Sequence, residues 1–301
     1  MKTSLAKLGE FGLINFIKKR IDKNASVIEG IGDDTAIVSY TPNKKLLLTT
    51  DMLIEDVHFT KDIPARVIGH KALACSISDI AAMGGVPKHA LVSLGVSGRT
   101  KTQYVKEIYS GINRLARKHN VAIVGGDTVK SDKLIINIAL TGEGDLKNII
   151  RRDGARIGDY IFVTGKLGGS LDSGRHLTFQ PRVKESKYLV KYFNPTSMID
   201  ISDGLAPDLK HILDASGVGA HLIQESIPVH SGESVVNAMY DGEDFELLFT
   251  LPKAEGKKLL KRKINMKFYH IGTIVDKKQK FCVIDGEGKK KDLTRKGFQH
   301  F

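Results

Sequence analysis

Six short acidic motifs, each set at the edge of an apolar run, constrain this chain more than any other feature. The first is Gly30-Ile31-Gly32-Asp33-Asp34-Thr35-Ala36, which runs into Ile37-Val38. Thr49-Thr50-Asp51, Ser78-Asp79, Gly125-Gly126-Asp127-Thr128, Asp200-Ile201-Ser202-Asp203-Gly204 and Asp241-Gly242-Glu243-Asp244 follow. Adjacent aspartates on a glycine hinge repel each other, and a turn that aims them inward is costly without a cation between them. Taken singly, the first motif reads better as a polar turn before a strand. Six such motifs beside apolar runs, outside charged surface faces, predict one shared cleft. Hard carboxylate oxygens in a cleft suit Mg²⁺, which keeps several waters and shares its other positions with substrate phosphates.

The 301 residues suffice for two domains, and 41% hydrophobic residues with 30 glycines fit a compact chain rich in tight turns. No apolar run reaches membrane-spanning length, and Met1 to Lys7 lacks the apolar core of a secretory signal, so the cytoplasm is expected. Cys75 and Cys282 lie far apart in apolar contexts and read as two buried free thiols. A formal net charge of +12 raises a nucleic-acid partner as an alternative. The basic residues crowd into 257–263 and 277–291 with little aromatic interleaving, so a field that steers small phosphate compounds is the more economical account.

In chain order, Leu8, Phe11, Ile14, Ile17 and Ile21 predict an opening amphipathic helix. Strands are expected at 36–40 and 46–50, which would set Asp51 just past a strand end. A helix from Pro64 to Gly84-Gly85 would carry Asp79 in apolar surroundings, where a bare carboxylate is rarely left unpaired. A strand at 90–96, a helix at 102–118, a short strand at 122–124 stopped by Gly125-Gly126, and a strand at 134–141 complete an α+β first half. After a seam at 145–159 come strands at 160–164, 197–201, 220–223, 245–251, 268–274 and 280–284, with helices from Leu205 to Gly217 and at 254–263. The glycine-rich turn Gly165-Lys166-Leu167-Gly168-Gly169-Ser170 fails the phosphate-loop pattern in detail, because Leu167 follows the lysine.

Read together, Gly-Ile-Gly-Asp-Asp at 30–34, Thr-Thr-Asp at 49–51, Val-His-Phe at 57–59, Ser-Asp-Ile-Ala-Ala-Met-Gly at 78–84, Gly-Gly-Asp-Thr at 125–128, Asp-Ile-Ser-Asp-Gly-Leu at 200–205 and Gly-Glu-Asp-Phe-Glu-Leu at 242–247 resemble, in order, the thiamine-monophosphate kinase family. That family is part of the aminoimidazole ribonucleotide synthetase and selenophosphate synthetase superfamily. The resemblance implies a mixed α/β, PurM-like fold: an N-terminal domain, 1–146, that binds ATP and magnesium and dimerises into a shared β-barrel, and a C-terminal α+β domain, 147–301. It implies magnesium-dependent transfer of the ATP γ-phosphoryl group directly to thiamine monophosphate, by a homodimer. Carried across by position, Asp34, Thr49, Thr50, Asp51, Asp79, Asp127, Asp200 and Asp203 would bind several Mg²⁺ ions. Gly126, Asp127, Arg152, Ser202 and Tyr109 would contact ATP, and His58, Glu243 and Phe298 the acceptor. Asp33 would support Asp34. Asp241 replaces the glycine usual before Gly-Glu-Asp, a substitution that matters if the position needs a positive φ, and the short basic stretch 174–198 predicts trimmed helices. Another ATP-using synthetase of the superfamily is the nearest alternative.

Overall fold

A computed structural model describes residues 9–19 and 24–293 of the chain. The first half is a six-stranded sheet ordered β1 (Val27–Glu29), β2 (Ala36–Ser39), β3 (Lys44–Ile54), β6 (Ile135–Asp145), β4 (Val86–Val96) and β5 (Ala122–Lys130). Every neighbour pair is antiparallel except β4 with β5, which are parallel and joined through a crossover helix. The opening helix, α1 (Glu10–Lys18), has no buried residue, and Phe11 meets His211 with ring centroids 5.0 Å apart.

Helices α2 (Ala65–Ala82) and α3 (Thr102–His119) cover one face of this sheet. Strand alternation turns Leu47, Leu53, Val92, Leu94, Ile136, Ile138 and Leu140 into the core beneath them. The opposite face is open, with Leu48, Met52 and Leu91 exposed on it and Val124 and Val129 exposed on the edge strand β5. Helix α2 is buried along most of its length, with alanine, isoleucine and leucine filling the space between the layers. Its backbone meets that of α3 at two glycines: a Cβ on Gly69 would lie 2.0 Å from the Ile108 carbonyl oxygen, and one on Gly111 1.9 Å from that of Arg66.

The second half is a seven-stranded sheet ordered β13 (Lys290–Asp292), β12 (Phe281–Ile284), β9 (Gly219–Ile223), β11 (Tyr269–Val275), β7 (Tyr160–Val163), β10 (Leu247–Leu251) and β8 (Ser197–Asp200). Only β12 and β9 run parallel. On one face it packs α5 (Leu205–Ser216) and the short α6 (Val235–Tyr240). On the other, Phe162 stacks on Phe249 at 5.3 Å beside α4 (Val183–Tyr192) and α7 (Lys253–Leu260). Strand β8 is the sheet edge that meets α2, so the seam between the halves runs along that helix.

Several expectations are corrected. Strand β3 does not stop at Thr50: its ladder to β6 continues through Asp51 opposite Ile138 to Ile54, because Leu47, Thr49, Asp51 and Leu53 keep the inward alternation. Nor do Gly125 and Gly126 end β5, since a register shift opposite Ala90 and Leu91 absorbs the extra residue and Gly126 takes φ 156°. Phe245 lies outside β10 in a left-handed conformation, φ 49°. Strands β1 and β13 and helix α6 carried no recognised signal, and the short stretch 174–198 still holds α4. Cys75 and Cys282 are buried free thiols. Among the described residues no helix is long and apolar enough to cross a membrane.

Candidate active site at the seam

Four acids from different segments converge where α2 passes between the sheets. Asp34 comes from the turn before β2, Asp51 from the inner face of β3, Asp79 from α2 and Asp200 from the end of β8. One carboxylate oxygen from each of Asp34, Asp79 and Asp200 lies within 4.8 Å of the others. Hydroxyls on α2 hold acids from both halves: Ser76 donates to Asp51 at 2.6 Å and Ser78 to Asp200 at 2.6 Å. Thr49 donates in turn to Asp79.

Such a group repels itself. Burial, and then Asp34, push Asp200 up to about 8. Burial raises Asp79 well above the carboxylate range, with Asp51, Asp200 and Asp34 adding to it. Asp51 is raised by burial against the Ser76 hydroxyl, and Asp34 adds to the rise. Arg152, in the turn before β7, answers part of this charge, with its Nη2 2.6 Å from Asp34. Burial opposes the charge on Arg152, yet Asp34 and Asp33 hold its guanidinium above the usual value. Asp33 accepts from the backbone N–H of Asp34 at 2.9 Å and of Arg152 at 3.0 Å. Burial and Asp34 push it up to about 7. Clustered oxygen donors carrying more negative charge than one arginine offsets are a donor set suited to a hard divalent cation.

Asp203 belongs to a neighbouring group with Asp208 and His211, whose ligand atoms lie within 4.8 Å of one another. Asp208 accepts from the backbone N–H of Asp203 and of Gly204, and burial, then Asp203, raise it well above its ordinary value. Ser202 lies beside it, and its carbonyl accepts the Glu243 N–H at 2.6 Å.

A third group surrounds a lysine. Lys71, on α2, has a side chain with no exposure and bonds both Glu243 carboxylate oxygens, at 2.9 and 2.7 Å. It also approaches His176 Nδ1 at 2.8 Å and donates to the His58 carbonyl at 3.1 Å. His176 Nδ1 is 2.6 Å from Glu243. Burial opposes ionisation of Glu243, but His176 and Lys71 hold its carboxyl below the usual range. His58 accepts the Ile54 N–H on its Nδ1 at 3.0 Å. His58 and His176 line a cavity of about 490 Å³ with Thr60, Leu171 and Gly174. A cavity of about 540 Å³ elsewhere in the second half contains Arg175 and Arg182, which are paired with Asp244 and Glu246.

Other residues singled out from the sequence are placed apart. Register and alternation turn Thr50 and Asp127 to the open face of the first sheet, opposite Asp51, and Thr50 bonds Asn137 there. Asp127 also sits three strands from Asp51, so within one chain these two cannot share an ion. Gly126 pairs opposite Val92, and Tyr109 packs against the first core. Phe298 lies outside the described residues. The glycine-rich turn at 165–170 spends its amides on acids: Gly168 donates to Asp244 and Gly169 to Asp241. Asp241 itself has φ −72°, so its position does not need a positive φ. Lys71, His176 and Asp208 escaped the sequence reading. A lysine on the buried face with Ile68, Ala72 and Cys75 was a legible signal for the first, and nothing marked the other two.

The first half places the chain in a structural class, since residues 32–143 match the family described as AIR synthase related protein, N-terminal domain. Over nearly its whole length the chain is 36% identical to the thiamine-monophosphate kinase of Aquifex aeolicus, covering 99% of each chain. It is 33% identical to that of Bacillus subtilis, covering 98% of this chain and 100% of the other. A solved structure, AaThiL complexed with AMPPCP and TMP, superposes with a TM-score of 0.87 at 35% identity and full coverage of both chains. The chain belongs to the thiamine-monophosphate kinase family.

Proposed function

We propose that this protein transfers the γ-phosphoryl group of ATP directly to the phosphate of thiamine monophosphate, giving thiamine diphosphate and ADP. The observation that carries this reading is the meeting of Asp34, Asp51, Asp79 and Asp200, drawn from both halves, at one point beside Arg152. Those four, with Thr49 and Asp203 alongside, would hold Mg²⁺. When bound, the ions neutralise the two phosphate groups that must be brought together. The residues themselves provide positioning and charge. Ser76 and Ser78 fix the two acids that face each other across the seam, so the donors are aligned before substrate arrives. Arg152 retains donors for phosphate oxygens, and we assign ATP contact to it with Ser202, Gly126 and Tyr109. His58, Glu243 and Phe298 are assigned to the acceptor. No side chain has to act as a nucleophile, since the acceptor phosphate attacks in line.

We further assign 1–146 and 147–301 as the two domains, and the open face of the first sheet as the surface that pairs two copies into a barrel. The exposed Leu48, Met52, Leu91 and Val129 support that reading. Thr50, Gly126 and Asp127 lie on or beside the same face, so we assign their contacts with ATP and metal to the junction between copies. Dependence on ATP fits the cytoplasm.

The test is coupled ADP release, with thiamine diphosphate quantified, in the presence of ATP, thiamine monophosphate and Mg²⁺. Product formation that disappears with EDTA is expected. Background turnover with this acceptor, alongside turnover of another phosphorylated one, would overturn the assignment.

A further inference from the structure

We propose that Lys71 is a positioning residue for the acceptor: its ammonium fixes the Glu243 carboxylate beside the His58 cavity, so acceptor affinity depends on it and ATP affinity does not. This rests on the acceptor reading above. Burying an ammonium costs several kcal/mol unless its donors are satisfied, and here three N–H groups are shared among four acceptor atoms: both Glu243 oxygens, His176 Nδ1 and the His58 carbonyl. A methionine or leucine would fill the same space beside Ile68, Ala72 and Cys75 without that penalty, so packing alone does not explain a lysine.

The partners explain it. His58 follows β3, His176 lies in the turn after β7, and Glu243 precedes β10, so one ammonium ties together three separate segments, two of which line the cavity while Glu243 sits against its His176 wall. Glu243 stands at φ 54°, a conformation uncommon for glutamate, and its side-chain bonds help to hold it there. The Glu243 side chain keeps 21% exposure while that of Lys71 has none, so a ligand can touch the glutamate and cannot touch the lysine. An ionised carboxylate offers about four acceptor positions. Lys71 takes one on each oxygen and His176 adds a contact on Oε2, which leaves Oε1 able to receive a donor from the acceptor molecule. The single His176 nitrogen can either accept from Lys71 or donate to Glu243, so the lysine also sets what remains of the carboxylate's capacity.

The experiment is initial-rate kinetics with Mg²⁺ on wild type, Lys71→Met, Lys71→Arg, Glu243→Gln and the Lys71→Met/Glu243→Gln double variant. Lys71→Met is expected to raise KM for thiamine monophosphate about tenfold or more, a loss of about 1.4 kcal/mol, with KM for ATP within about twofold of wild type. The double variant should fall within about threefold of the worse single one, because both remove the same contact. If Lys71→Met does not fold, Lys71→Arg, which keeps the charge and moves the donors, should show the same split at about threefold. Unchanged acceptor KM, parallel rises in both KM values, or multiplicative losses in the double variant would each overturn the proposal. A wild type that makes no thiamine diphosphate removes the acceptor reading itself. A competent wild type with unaffected variants removes only the role of Lys71.

Discussion

Replacing Asp200 with asparagine should make the metal-free protein more stable while abolishing its activity. In the fold the Asp200 carboxyl is moved from 3.8 to about 8 by burial and Asp34, with Asp51 also contributing. Its folded form therefore holds a proton more tightly than the unfolded chain. Unfolding stability must fall as pH rises through the window from about 4 to about 8, and the penalty is absent below it. Each tenfold change in proton affinity is worth about 1.4 kcal/mol, so the ceiling above pH 8 is about 6 kcal/mol. Solvent at the cleft and side-chain relaxation reduce that ceiling, and a net gain of about 2 kcal/mol is the working figure. Asparagine keeps an oxygen for the Ser78 hydroxyl and carries no charge, so the gain is not offset by an orphaned donor. Thermal unfolding in EDTA at pH 8 should show the variant melting about 3 °C above wild type, with the difference shrinking toward pH 5. Mg²⁺ should raise the wild-type midpoint more than that of the variant, and turnover should drop at least about a hundredfold. A variant that melts at or below wild type in EDTA at pH 8, or a difference that ignores pH, would refute the picture of mutually repelling acids.

Gly111→Val would drive a side chain into the Arg66 carbonyl, 1.9 Å from the new Cβ, and should cost about 3 kcal/mol through separation of α2 and α3. Urea unfolding should show the lowered midpoint, and an unchanged one would contradict the close approach. Val129→Lys, on the open face of the first sheet, should shift the sedimentation mass from that of two chains to that of one. A variant that stays paired would move the proposed dimer surface elsewhere.

The sequence was most informative where one local rule acted alone. Val105, Ile108, Ile112 and Leu115 recur at helical spacing, and α3 ends within a residue of its predicted limit, at an asparagine in the left-handed conformation. Asp34, Asp51, Asp79 and Asp200 were legible because a carboxylate beside apolar residues demands an answering group. Boundaries failed where tertiary pairing overrode local signals. Gly125 and Gly126 look like a stop, but β4 holds them in a ladder; Asp51 looks like a strand end, but β6 pairs past it. Thr50 was not separated from Asp51 because the strand was expected to end between them, and sequence does not say which face of a sheet a residue takes relative to another strand, so Asp127 could not be separated from Asp51 either. His176 and Asp208 were invisible for a different reason: their importance comes only from neighbours more than a hundred residues away or folded back by one turn.

Helix α2 carries both Lys71 and Ser78, seven residues and two turns apart on nearly the same side, a span of about 10 Å. Because the stretch from Lys71 to Ser78 is buried throughout, neither end can drift without the other. On the assignments proposed above, the cleft would act as a fixed gauge, the lysine end registering the organic head of a guest and the serine end its charged terminus. Molecules with the right groups at the wrong separation would then fail to span it, and selection by length would follow from the rise of a single helix.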